Sequence, residues 1–276
     1  MCCETYEIRV KIMYNAKEKR LELDGISMNY ISFGKGEKNL IMIQGHNTNG
    51  ISGSANMLSL MYKIFAKDYN VHMFDRRENI NGDITVRELA SDIASAMDKL
   101  NIATADVLGV SQGGMIAQYL AIDRPDLVNK LVLAVTLSKS NETIETAISE
   151  WIRLTEQNDI KNLVKDMTER MYTDSYVRKY KLFIPLLTIL QKPKDVPRFI
   201  TLSKACLTCN AYEELDKIKC PVFVIGSRKD KVVGSNASEE IAEKLGCKKY
   251  IYEYSSHSAY EEEKDFNKRV YDFFKE

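Results

Sequence analysis

Ser111 is the residue around which a reaction could be built. It stands in Leu108-Gly109-Val110-Ser111-Gln112-Gly113-Gly114. The run before it, Ala105 to Leu108, is apolar but for Asp106 and holds β-branched Val107, as a strand would. Met115, Ile116, Tyr119 and Leu120 then recur at helical spacing. A strand, a Gly-x-Ser-x-Gly turn and a helix, in that order, lift a serine hydroxyl onto a sharp turn. Side chains at positions 109 and 113 would collide with neighbouring backbone, and glycine at both avoids this. The N-terminus of the following helix points at the same hydroxyl, where its dipole favours a developing oxyanion. Three fixed positions alone recur by chance in roughly one chain in ten of this length. The surroundings must therefore carry the reading.

A serine hydroxyl near neutral pH is a poor nucleophile. It needs a base, and the base needs an orienting acid. The chain has three histidines. His72 lies mid-strand between Val71 and Met73, where a structural role with satisfied ring nitrogens is expected. His46 lies in the polar loop Gln44-Gly45-His46-Asn47-Thr48-Asn49-Gly50. His257 lies just past the final strand, in Ser255-Ser256-His257-Ser258-Ala259. A loop after a strand end lets a base face Ser111, so His257 is the expected base. Asp230, in Gly226-Ser227-Arg228-Lys229-Asp230, also sits past a strand end and is the expected acid. Asp75 and Asp106 are its rivals. Asp75 precedes the serine, whereas Ser111, Asp230 and His257 keep the order Ser, Asp, His. An oxyanion hole needs two converging N–H donors. Gln112 supplies one from its backbone. The loop after Ile43 should supply the other, with the backbone N–H of His46 the expected donor. The His46 imidazole could instead touch substrate.

Alternating strands and helices must position these groups. Asp24-Gly25 marks a turn, Ile26 to Phe33 alternates as a strand, and Leu40 to Ile43 reads as a strand buried on both faces. A helix over Met57 to Phe65 and a strand over Val71 to Phe74 follow. Thr85 and Glu88 form a capping box for a helix to Leu100. Leu131 to Val135 is the next strand. This pattern is a doubly wound, mostly parallel α/β sheet. From about 139 to 210 the pattern turns helical, with Trp151, Met167, Tyr172, Tyr176 and three of the five prolines. That segment reads as a helical cap inserted into a single domain spanning 1–276. Trp151 and Tyr176 are candidate pocket residues, although plain helix packing would explain each equally well. The sheet resumes at Pro221 to Ile225. A helix over Ser235 to Leu245, a strand over Cys247 to Tyr254 and a helix over Glu261 to Phe274 complete the chain. Residues 1–24 stay open, with 5–24 ambiguous between strand and amphipathic helix.

Composition sets outer bounds. The 276 residues are 45% hydrophobic and 28% charged, ordinary for a globular domain. Lys+Arg and Asp+Glu are both 39. No basic stripe argues for nucleic acid or for an anionic membrane. The N-terminus has no apolar core of a secretory signal. The longest apolar stretches, such as Phe183 to Leu190, are far short of a membrane span. Six cysteines in a chain this size suggest a reducing compartment rather than a disulfide framework, hence the cytoplasm. Cys206 and Cys209 form a lone Cys-x-x-Cys without two further ligands at a matching spacing, so no metal is expected. No cofactor is expected, and oligomeric state stays open.

With these motifs in view, the sequence resembles the α/β-hydrolase superfamily over roughly residues 25 to 276. It is most similar to the single-cap branch of enol-lactonases, small esterases, proline-iminopeptidase-like enzymes and C–C bond hydrolases. The motifs carrying the resemblance are Gly109 to Gly114, Gly226 to Asp230 and Ser256-His257-Ser258-Ala259. Two departures stand out. The loop after the third strand usually reads His-Gly-x and here reads Gln44-Gly45-His46. The segment Phe74-Asp75-Arg76-Arg77 matches the family's Asp-x-Arg-Gly region without the glycine. A triple-glycine loop of the lipase type is absent. The resemblance implies a serine hydrolase acting through an acyl-enzyme on a small-molecule ester, thioester, lactone or related acyl substrate. An acyltransferase or lyase on the same triad, or a ligand-binding protein with little turnover, are the alternatives.

Overall fold

The computed structural model describes residues 13–80, 82–180 and 188–276. The reading of the N-terminus and most of the run Phe183 to Leu190 lie outside the described residues. Among these residues eight strands form one sheet: β1 (Lys17–Leu23), β2 (Ile26–Phe33), β3 (Lys38–Ile43), β4 (Tyr69–Phe74), β5 (Ala105–Val110), β6 (Val128–Ala134), β7 (Val222–Ser227) and β8 (Lys248–Tyr252). Their order is β1-β2-β4-β3-β5-β6-β7-β8. The pairs β1–β2 and β2–β4 are antiparallel, and all the others are parallel. The open N-terminal stretch is thus resolved from residue 17 onward as an edge strand.

The central strands are apolar on both faces because both faces are covered. Leu40 and Met42 of β3 enter one core layer with Phe65, Tyr69 and Phe274; Ile41 and Ile43 enter the other with Met115 and Leu133. Helices α1 (Ala55–Met61) and α10 (Phe266–Lys275) cover the first face. Helices α2 (Val86–Lys99) and α3 (Gln112–Asp123) cover the second. The Thr85–Glu88 capping box opens α2, with Thr85 Oγ1 accepting the Glu88 N–H at 3.1 Å.

The chain reverses its direction of travel across the sheet between β3 and β5. Ile43 and Gly109 are paired across that boundary. A crevice outside the carboxyl ends of strands at such a switch point is where open α/β sheets bind ligands. Ser111 and the Gln44–Gly50 loop both leave the sheet there.

The strand expected to end at Val135 ends at Ala134, because Val135 turns to φ 42°. That conformation strains a β-branched residue. The chain then runs through α4 (Glu142–Glu156), α5 (Ile160–Met171), α6 (Asp174–Tyr180), α7 (Val196–Cys206) and a 3₁₀ turn at Tyr212–Lys217 before β7. An isolated antiparallel bridge between Lys139 and Asn210 brings the two ends of this segment together. After β7 come α8 (Ala237–Leu245), β8, α9 (Ala259–Glu262) and α10. The single helix expected over Glu261 to Phe274 is two helices, because Glu263 is extended (φ −97°, ψ 117°) and its carboxylate accepts the Ser255 hydroxyl. Among the described residues, no helix is long and apolar enough to cross a membrane.

Candidate active site

β5 ends at Val110, and Ser111 takes φ 54° and ψ −121° before α3 begins. Two contacts hold that strained turn. Ser111 N–H donates to Ala134 O at 2.9 Å, and Thr136 Oγ1 donates to Ser111 O at 2.7 Å. The flanking glycines are demanded by space. A Cβ on Gly113 would lie 1.9 Å from Ile43 O, and one on Gly109 would lie 2.5 Å from Gly113 O. The strand and helix on either side of Ser111 therefore pack backbone to backbone, which aims its hydroxyl out of the sheet.

The three expected groups converge. His257 Nε2 lies 2.9 Å from Ser111 Oγ, and His257 Nδ1 lies 2.8 Å from Asp230 Oδ2. Asp230 Oδ1 accepts the N–H groups of Val232 and Val233 at 2.8 and 2.9 Å. These donors fix the carboxylate and leave one oxygen for the imidazole. With Nδ1–H donating to Asp230, Nε2 is free to accept the serine proton. The His257 loop is clamped to the end of α5. Ser258 N–H donates to Met171 O at 2.7 Å, and Ser256 Oγ lies 2.9 Å from Arg170 O.

The rival carboxylates are engaged elsewhere. Asp106 accepts the Tyr69 hydroxyl at 2.8 Å and Asn129 Nδ2 at 2.7 Å. Asp75 accepts the N–H groups of Arg76 and Ile51 at 2.8 and 3.2 Å, and Arg198 Nη2 approaches it at 3.5 Å. Neither bonds His257.

The loop after β3 lies against the nucleophile. A Cβ on Gly45 would sit 3.2 Å from Ser111 Cβ. The His46 imidazole is turned toward α7, stacking on Phe199 at 4.7 Å with Nε2 2.8 Å from Ser203 Oγ. Ser203 Oγ gives its own proton to Phe199 O at 2.8 Å, so His46 Nε2–H is the donor of that pair. Burial, with Arg76 and Arg198 nearby, pushes His46 down to about 3, so the ring is neutral.

Two expectations change, those for His72 and Trp151. His72 is buried in β4 between Tyr30 and Phe74, as a structural residue would be. Among the described residues, however, neither of its ring nitrogens has a hydrogen-bond partner, so the expected satisfaction is not met. Burial lowers it to about 4. Trp151 is buried between α4 and α5, with Nε1 donating to Asp166 Oδ2 at 2.8 Å. That is packing within the helical segment rather than an open pocket wall. Tyr176 stacks on Tyr172 at 4.8 Å, and Tyr172 donates to Glu261 at 2.6 Å beside the His257 loop. Cys206 and Cys209 are free, buried thiols, each pushed up to about 12 by burial. Among the described residues, no three His, Cys, Asp or Glu side chains converge as a metal cage would require.

Sequence reasoning missed one buried group at this site. Arg76 donates from Nε to Gln112 Oε1 at 3.0 Å and from Nη2 to Gln44 O. Desolvation brings it down to about 10. Its motif was visible, but partners 32 and 36 residues away were not.

A family model described as alpha/beta hydrolase fold matches residues 39–160. The chain is 22% identical over 217 residues to 3-oxoadipate enol-lactonase 2 of Acinetobacter baylyi, covering 77% of this chain and 79% of that protein. It is 25% identical over 223 residues to 2-hydroxy-6-oxononadienedioate/2-hydroxy-6-oxononatrienedioate hydrolase of a Pseudomonas species, covering 77% and 78%. The crystal structure of the enol-lactonase from Burkholderia xenovorans superposes with a TM-score of 0.79 at 20% identity, covering 94% of this chain and all of that one.

Proposed function

Because the chain belongs to the α/β-hydrolase superfamily, we propose that it is a serine hydrolase of small acyl substrates, working through an acyl-enzyme on Ser111. The observation that carries this reading is the unbroken relay from Ser111 through His257 to Asp230 at 2.9 and 2.8 Å. Neutral His257 takes the proton of Ser111 Oγ as the oxygen attacks the acyl carbon. The carbonyl oxygen gains the electron pair and settles between the backbone N–H groups of Gln112 and His46. As the intermediate collapses, His257 returns its proton to the leaving oxygen or sulfur. Water, deprotonated by the same imidazole, then releases the acid and restores Ser111.

Asp230 keeps the tautomer correct and stabilises the imidazolium. The helical segment 139–210 serves as the cap over the site, and its grip on the His257 loop supports that assignment. Esters, thioesters and lactones are the substrate class, in keeping with the enol-lactonase relative. The free thiols support residence in the cytoplasm.

The test is turnover of a p-nitrophenyl ester, followed by product analysis with a competing alcohol. Free acid as the main product is expected. Stoichiometric binding without turnover would overturn the proposal, and predominant transfer to the alcohol would make the chain a transferase.

A further inference from the structure

An oxyanion hole helps only if its donors are in place before charge develops. Here two separate segments must supply them: the loop after β3 and the first turn of α3. Arg76 is the side chain that joins the two. It is buried just past β4 and donates at once to Gln112 Oε1 at 3.0 Å and to the carbonyl oxygen of Gln44. Gln112 is one donor residue, and Gln44 lies two positions before the other, His46. Helix α7 braces the opposite side of both. Gln112 Nε2 donates to Leu202 O at 2.7 Å and to Cys206 Sγ at 3.2 Å. The His46 ring is held by Ser203 and Phe199.

We propose that Arg76 is a positioning residue for the oxyanion hole, setting the spacing of the His46 and Gln112 backbone N–H groups by gripping both segments through one guanidinium. The inference rests on the serine-hydrolase reading and deepens it. A planar guanidinium presents donors in a fixed fork, so one residue can hold two acceptors at a set separation. A lysine is a point donor and cannot reproduce that separation. Arg76 makes its bonds to the two donor segments and none to the relay side chains, so its removal should spare the nucleophile and base while weakening stabilisation of the oxyanion.

The test uses the full-length enzyme and Arg76→Met, with turnover of an activated ester and inhibition by a trifluoromethyl ketone as readouts. The ketone accepts Ser111 Oγ at its carbonyl carbon. The serine proton passes to His257, and the carbonyl oxygen becomes the oxyanion that the hole must hold. The expected result is a kcat lower by on the order of 10- to 100-fold. KM should stay within about threefold, the pH profile should keep its shape, and ketone affinity should fall by the same factor as kcat. Arg76→Lys should recover only part of the loss.

A folded Arg76→Met variant that keeps kcat and ketone affinity within about twofold of wild type would overturn the inference. So would a loss of kcat with ketone affinity unchanged. If Arg76→Met does not fold, Gln112→Leu removes one of the two gripped acceptors and keeps the backbone donor. It should give the same paired loss, and its absence there would likewise overturn the inference. A wild type with no turnover refutes the parent reading and this one with it. Normal wild-type turnover with an unaffected variant refutes this one alone.

Discussion

Asp75 and Asp230 invite direct comparison. Each follows the end of a strand of the sheet, each is 6% exposed, and each accepts two backbone N–H groups. They differ in what is left over. Asp230 spends Oδ1 on Val232 and Val233 and keeps Oδ2 for His257. Asp75 spends Oδ1 on Arg76 and Oδ2 on Ile51, while Gly50 packs so closely that a Cβ there would lie 2.3 Å from Oδ2. A strand end and a buried carboxylate are thus not enough to orient a base. An oxygen left free on the side facing the histidine decides it.

The largest effect should come from Asp230→Asn. That change favours the wrong imidazole tautomer and should cost on the order of 10⁴-fold in turnover with the fold retained. Asp75→Asn should leave turnover per folded molecule within about tenfold but lower stability by about 1–3 kcal/mol, since it disturbs a buried acceptor of backbone donors. Measuring both variants on one activated ester and by chemical denaturation breaks the comparison if the two roles come out exchanged.

Gly50→Ala sharpens it. Gly50 has φ +70°, and its new methyl would press on Asp75 Oδ2. Stability should fall by about 1–3 kcal/mol, with turnover of the folded fraction unchanged. A large loss of turnover in fully folded protein would mean that the Asp75 loop takes part in the chemistry.

The smallest effect concerns His72, a buried titratable group with no catalytic partner. Burial holds it at about 4, below the ordinary 6.5. Between those values the unfolded chain binds a proton that the folded chain does not. Stability contributed by the neutral ring is therefore intact above about pH 6.5, lost as pH falls toward 4, and level below that. His72→Phe removes this linkage. Relative to wild type it should gain stability at pH 5 over pH 8, with turnover unaltered. Parallel stability curves for the two proteins would contradict the assignment.

How much of this was legible in the sequence varies with how local the cause is. The turn at Ser111 could be read because its demands fall on Gly109 and Gly113, two residues to either side. His257 and Asp230 could be read because only three histidines compete and chain order separates Asp230 from Asp75. β1 could not be read. Among the described residues it is an edge strand paired only to β2, and residues 17–20 are exposed, so no alternation marks it. The break after α9 comes from the Ser255–Glu263 hydrogen bond, which periodicity over 261–274 does not record. Arg76 had a visible motif, but its partners Gln44 and Gln112 are brought to it by the switch in strand order. The bare nitrogens of His72 and the packing of Trp151 are tertiary facts of the same kind.

The central claim is that Ser111 is the covalent nucleophile, and the most direct measurement is a mass map of the fluorophosphonate adduct on the folded, full-length protein. Oγ displaces fluoride from phosphorus, and His257 receives the serine proton. The account predicts a single adduct on the peptide containing Ser111. It predicts no adduct in Ser111→Ala, whose turnover should fall by on the order of 10⁴-fold or more. Equal labelling of the two proteins, or an adduct mapped to another residue, would contradict it.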